Sequence, residues 1–198
     1  NITFRWVPTR ALYELWQELK KIDLGNSGAH EITDVVSCPG TDSCKLGITS
    51  SMGLGKVVAT AVETLHEKDP LIDAMHIKMS GCPNGCGQHH IADIGFHGAA
   101  MKGPGGQVPA YELFLGGSFD HGDTRIGQRV KTKVPAKKMP EAINKILEYY
   151  QNQRNAGEPF KDFVSRQGAT AFEPLLQEFR ELPELNRESL DWYMDWDK

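Results

Sequence analysis

Met79-Ser80-Gly81-Cys82-Pro83-Asn84-Gly85-Cys86-Gly87-Gln88 carries two cysteines four positions apart, with proline after the first and glycine on both sides of the second. Upstream, Ser37-Cys38-Pro39-Gly40-Thr41-Asp42-Ser43-Cys44-Lys45 carries another pair in C-x5-C spacing. These are all four cysteines of the chain, and the 37 residues between Cys44 and Cys82 suffice to fold back and join the pairs. Two tight pairs in 198 residues do not make a disulfide framework. In a reducing, cytoplasmic setting they read as metal ligands.

Four thiolates are the usual protein ligation of a 4Fe-4S cluster, so Cys38, Cys44, Cys82 and Cys86 are its candidate ligands. Cys82 and Cys86 stand one helix-like turn apart, which would point both sulfurs the same way. Pro39 and Pro83 fix the backbone just after a ligand. Gly81, Gly85 and Gly87 are expected to let the main chain pass close to a bulky inorganic core. Asn84 can offer its side-chain amide to a cluster sulfur and tune its potential. A structural zinc site in an interaction domain is the competing use of four thiolates, although zinc favours spacings shorter than C-x5-C.

Working outward, Met75 to Ser80 alternates apolar and polar residues and predicts a strand delivering Cys82. Ile32 to Ser37 predicts a short strand leading into Cys38. The pattern predicts a helix over 51–68, with Val57, Val58, Ala61, Val62 and Leu65 inward and Pro70 beyond its end. Ile91–His97 and Tyr111–Leu115 read as strands separated by the loop Lys102-Gly103-Pro104-Gly105-Gly106. Arg129–Val134 alternates again. Pro140 suits the first turn of a helix over 140–154, with Ile143, Ile146, Leu147 and Tyr150 facing in. Shorter helices are expected over 159–167 and 170–181. The aromatic, acidic tail Asp191–Trp196 is expected to pack on a neighbouring surface. At the other end, Ile2–Val7 resembles a strand already under way, as in a fragment of a longer protein. Thr9 is a candidate N-cap for a helix over 10–24, with Leu12, Leu15, Trp16 and Leu19 as its apolar face and Gly25 as its stop.

Composition is that of an ordinary globular domain, with 24% charged residues. A net charge of -4 speaks against nonspecific nucleic-acid binding. No apolar run approaches the ~18 residues of a membrane span, and no signal peptide is visible. His89 and His90 read first as packing residues, or else as contacts to a cofactor carboxylate. Gly53-Leu54-Gly55-Lys56 lacks the full phosphate-loop spacing and reads as a helix start. Lys131 and Lys133 read as a solvated face, and Met75 and Met79 as core.

The cysteine pattern, with Asp34–Gly40, Ile91–Gly95 and Tyr111–Gly117, resembles the cluster-and-siroheme signature of the nitrite and sulfite reductases. The likeness extends from about Arg5 to the tail. The resemblance implies an α+β fold, a mixed or antiparallel sheet with flanking helices. It divides the chain into a reductase domain over 1–150, the C-terminal half of a longer enzyme, and a helical extension over 151–198. It implies that all four cysteines bind the 4Fe-4S cluster, and that Cys86 is also the axial ligand of siroheme and bridges the two centres. The implied reaction is six-electron reduction of nitrite to ammonia or of sulfite to sulfide, fed by ferredoxin or a flavoprotein subunit. The family's first half, which surrounds the anionic substrate with cations, has no counterpart here, so this chain alone is expected to be inactive. Lys45, Lys56, Lys102, Arg125, Arg129, Lys131 and Lys133 are the cations on offer. Catalytic acids stay unassigned. A 4Fe-4S electron-transfer protein without siroheme is the alternative from another class.

Overall fold

The computed structural model describes residues 2–66 and 69–197; side chains of residues 64–66 are left aside. The strands are β1 (Val36–Ser37), β2 (Ile77–Ser80), β3 (Ile94–Gly103), β4 (Gly106–Leu115), β5 (Ser118–Asp120), β6 (Asp123–Arg125), β7 (Gln128–Arg129) and β8 (Val134–Pro135). The helices are α1 (Leu12–Lys20), α2 (Ser51–His66), α3 (Pro70–Asp73), α4 (Met139–Gln153), α5 (Phe160–Gln167) and α6 (Glu173–Leu176). One mixed sheet has the order β1-β2-β3-β4-β7, with β8 also on β4, and β5 and β6 form a separate hairpin. β1, β2 and β3 run parallel, while β4 turns back against β3. The architecture is thus α+β.

Side-chain alternation divides the sheet into two faces. Ile77 and Met79 share one face with their register partners Ile94 and Phe96. This face, extended by Tyr111, Leu113 and Leu115, packs on Leu54, Val58 and Val62 of α2 and on Ile143, Ile146, Leu147 and Tyr150 of α4. Phe160, Phe163 and Phe172 continue the same core, with rings meeting Tyr149 and Tyr150 edge-on. The opposite face carries Lys78, Ser80, His97, Glu112 and Phe114.

β2 is buried along its whole length, Lys78 included, rather than half-exposed as its alternation suggests. It lies between two parallel neighbours. Parallel neighbours need a connection of about a dozen residues or more to return to the strand start. Between β2 and β3 that connection is Gly81–Asp93, which holds Cys82 and Cys86 and folds back over the polar face. Helix α2 makes the return between β1 and β2.

Several expectations are corrected. Ile2–Val7 pairs with no strand among the described residues, and Trp6 has a positive φ of 62° that interrupts an extended run. Thr9 is not an N-cap: Pro8, fixed at φ -62°, precedes a 3-10 turn at Thr9–Ala11. α1 stops at Lys20, short of Gly25, and buries none of its residues; Leu12 and Trp16 stay exposed. Of the segment 32–37, only Val36–Ser37 is strand. The end of α2 expected at Lys68, and the inward packing of Leu65, lie outside the described residues. β3 and β4 run on to a tight Pro104-Gly105 hairpin, longer than their apolar cores suggest.

Arg129–Val134 is not one strand. Gln128 and Arg129 pair with the end of β4, and Val134 and Pro135 pair nearer its middle. Between them the Glu173 carboxylate accepts the Lys131 and Thr132 amides and the Thr132 hydroxyl. Residues 170–181 form two 3-10 turns around the single turn of α6. The tail packs on this same chain: Trp196 Nε1 donates to Ala136 O at 2.8 Å, and the Tyr193 hydroxyl donates to Pro183 O at 2.6 Å. Asp195 is buried, and its carboxylate accepts the Ser50 amide at the start of α2 at 2.7 Å. Among the described residues, no helix is long and apolar enough to cross a membrane.

α3 and α4 are joined by Asp69, whose carboxylate lies 2.7 Å from the Arg154 guanidinium and also accepts from Gln151. Burial works against ionisation of Asp69, but bonds from Arg154 and Gln151 outweigh it and hold the carboxyl below its ordinary range. A depressed folded pKa contributes stability above the unfolded value of about 3.9, and that contribution is lost as pH falls through the folded value. Asp69→Asn should therefore cost about 2 kcal/mol at neutral pH. In urea titrations the cost should shrink as pH falls below 4; a cost independent of pH would contradict this.

Candidate metal centre

Two loops meet because β1 and β2 are parallel and in register, Val36 with Lys78 and Ser37 with Met79. The chain leaves both strands in the same direction, at Cys38 and at Gly81-Cys82. Cys38 N donates to Met79 O at 3.2 Å, and Gly81 N donates to Cys38 Sγ at 3.0 Å. Ser51, opening α2, donates to Cys38 O at 2.7 Å and sits 3.4 Å from Cys38 Sγ. The first loop then turns at Gly40–Asp42, where Cys44 N donates to Gly40 O. It returns so that Ile48 N and Thr49 N both donate to Gly81 O, at 2.8 and 3.1 Å. A Cβ on Gly81 would lie 2.6 Å from Gly40 Cα, so the two loops touch backbone to backbone.

All four cysteines are free thiols. Cys82 is buried, Cys38 is intermediate, and Cys44 and Cys86 are exposed. Asn84 is exposed beside them. The expected helix-like turn between Cys82 and Cys86 is a succession of tight turns instead, with Gly85 at φ +74°. The glycines also act differently from expectation. Gly81 and Gly87 make room for protein backbone, the former against Gly40 and the latter against Met79. Only at Gly85 would an added Cβ meet nothing nearer than 3.8 Å.

The second loop is fastened to the polar face of the sheet. Gly87 N donates to Ser80 Oγ at 3.0 Å, and Ser80 Oγ lies 2.9 Å from His89 Nδ1. Lys78 Nζ donates to Gln88 Oε1 at 3.0 Å and lies over the Phe119 ring. His89 is fully buried, its ring centroid 3.9 Å from that of His90 and 5.0 Å from that of His97, so packing is its first role. Burial, then the neighbouring His90 and His97, push its pKa down to about 4. Behind the rings, Glu112 faces His97 and carries ion pairs to Arg129 at 2.7 Å and Lys133 at 3.3 Å.

Of the cations on offer, Arg129 and Lys133 are therefore committed to Glu112, and Arg125 to Asp123 and Asp162. Lys45, Lys56, Lys102 and Lys131 are exposed. The sequence reading passed over Lys78, the buried lysine nearest the second loop; burial lowers its pKa. Gly53 to Lys56 lie in the first turns of α2, and Met75 and Met79 are core.

The donor set fits an iron–sulfur cluster. Four free thiols sit on two loops stitched by direct bonds, and Cys38 Sγ already accepts an amide, the kind of bond that tunes ligating sulfurs. Among the described residues, no three His, Cys, Asp or Glu side chains converge closely enough to hold a single metal ion. A cubane takes one thiolate per iron, so four cysteines match it in number.

Fold and thiols together define an iron–sulfur domain. Residues 28–183 match the model of the nitrite and sulphite reductase 4Fe-4S domain, and the chain belongs to that family. The match leaves out the first 27 residues and those after Pro183. The sulfite reductase (NADPH) hemoprotein beta-component of Staphylococcus carnosus is 36% identical over 134 residues, 67% of this chain and 22% of that protein. The assimilatory ferredoxin-dependent nitrite reductase of Haloferax mediterranei is 30% identical over 165 residues, 80% of this chain and 27% of that protein. Among solved structures, the Mycobacterium tuberculosis NirA protein superposes with a TM-score of 0.71 at 25% identity, over 84% of this chain and 31% of that one. The chain thus spans less than a third of each of these three proteins.

Proposed function

We propose that Cys38, Cys44, Cys82 and Cys86 hold a 4Fe-4S cluster and that Cys86 also ligates siroheme iron, in a reductase taking nitrite to ammonia or sulfite to sulfide with six electrons. The observation that carries this reading is the pair of cysteine loops, stitched together at Gly81 and Cys38 in a chain of the 4Fe-4S family. When bound, the cluster would supply electrons one at a time and the haem iron would hold the substrate while they arrive. The chain's own residues hold and orient. β1 and β2 aim the loops, Ser51 and Gly81 bond Cys38, and exposed Cys86 stands where a second group can reach its sulfur. Asn84, exposed on the same loop, would offer its amide to a cluster sulfur.

In this reading residues 1–150 form the reductase part and 151–198 its helical extension. The remaining cations around a small anionic substrate come from the rest of the enzyme, and the electrons from ferredoxin or a flavoprotein subunit. Anaerobically purified protein should contain about four iron atoms per chain, and the full enzyme should show the Soret band of siroheme. Stoichiometric zinc with negligible iron would defeat the assignment, and iron without a Soret band would leave an electron carrier.

A further inference from the structure

Two fully buried polar side chains, Ser80 and His89, meet beside the cysteine loop. Ser80 ends β2, two residues before Cys82; its side chain is fully buried, as is that of His89. Ser80 Oγ accepts the Gly87 amide at 3.0 Å, and His89 Nδ1 lies 2.9 Å from the same oxygen. A serine hydroxyl has one proton to give. Gly87 donates to the oxygen, and a hydroxyl proton given to His89 Nδ1 would put the imidazole proton on Nε2. His89 Nε2 has no hydrogen-bond partner among the described residues and faces a surround of rings: His90, His97 and Phe114, with centroids 3.9–5.2 Å away. Such a surround keeps the imidazole neutral, and so an acceptor.

We propose that Ser80 and His89 form a clamp that positions the Cys82–Cys86 loop for its cluster. This rests on the cluster assignment above. The Gly87 amide belongs to the peptide that begins at Cys86, so its bond to Ser80 fixes the plane leaving the second ligand. Ser80 also belongs to the strand that delivers the first. Both ligands are thereby referenced to one strand end. His89 completes the clamp by orienting the hydroxyl, and its own backbone is wedged against Gly95, where a Cβ would fall 1.7 Å from His89 O. Both are positioning residues, since neither touches the reacting atoms.

The test uses the full enzyme purified anaerobically as wild type, Ser80→Ala, His89→Phe and the double variant. Val164→Ala, in α5, is the control for general destabilisation. His89→Phe keeps a ring of similar size and removes the acceptor. Both single variants should change the EPR line shape of the reduced cluster and speed iron release to a chelator roughly tenfold, the loss of one buried hydrogen bond. The double variant should release iron no faster than Ser80→Ala, because one clamp has been opened twice. The control should lower the melting temperature without moving the EPR signal. A wild-type cluster whose spectrum and release are unchanged by both single variants, or variants whose effects simply add, would overturn the clamp alone. Wild-type protein without iron would overturn the cluster assignment, and the clamp with it.

Discussion

Cys86→Ser in the full enzyme should abolish reduction of nitrite or sulfite, a loss of at least about a thousandfold, and should separate the two metal centres electronically. The prediction follows from the difference among the four thiols. If Cys86 held only the cluster, its replacement would resemble that of Cys38, Cys44 or Cys82. Cys82 is buried and Cys38 already accepts the Gly81 amide, whereas Cys44 and Cys86 are both exposed, and of these two Cys86 adjoins the open backbone of Gly85. A sulfur facing both a cubane and a macrocycle needs that freedom. If Cys86 holds both groups as proposed, replacing it would remove a ligand of each in a single step. Mössbauer and EPR spectra of the wild type should show magnetic coupling between haem iron and cluster, and the variant should lack it. No coupling in the wild type, or coupling that survives in Cys86→Ser, would rule out the bridge.

Gly87→Ala should be nearly as damaging, although it touches no thiol. A Cβ at this position would fall 1.9 Å from Met79 O and 2.7 Å from the carbonyl carbon, inside any van der Waals contact. The obstacle is backbone of β2, so no side chain can swing away. The loop must lift, which breaks the Gly87–Ser80 bond and displaces Cys86. We expect a cost of at least about 3 kcal/mol, and purified protein retaining under about a tenth of the wild-type iron. Gly85→Ala is the informative comparison. Its φ of +74° carries about 1–2 kcal/mol of strain for alanine, but its surroundings are open, so iron should largely remain. Equal iron in Gly87→Ala and wild type would show that the loop is not held as described.

The sequence carried much of this, and unevenly. Patterns set by one residue's immediate chemistry were legible: the cysteine pairs, Pro140 opening α4, the inward face of α4, Val58 and Val62 on α2, the strand before Cys82. Features that depend on what arrives from elsewhere were not. Ser80 and His89 are nine residues apart, a spacing with no meaning until the loop folds back across β2. Lys78 looked like the polar side of a half-exposed strand because nothing local announces that β2 has neighbours on both sides. Arg129–Val134 has strand periodicity, yet Glu173, more than forty positions downstream, takes the amides of its middle. The apolar stripe of α1 was legible as a helix face, but its periodicity gives no sign of what covers it.

Asp195 gives the cysteine loops an unexpected dependence on chain order. Its bond to the Ser50 amide joins residues 145 positions apart, and the next residue, Ser51, holds Cys38. Closing so long a segment costs conformational entropy that local contacts cannot recover until the intervening sheet exists. The start of α2, and with it the seat of Cys38, is therefore completed only by a residue made long after it. A nascent chain would present Cys38 and Cys44 on an unfinished platform until Asp195 has been made and folded back onto Ser50.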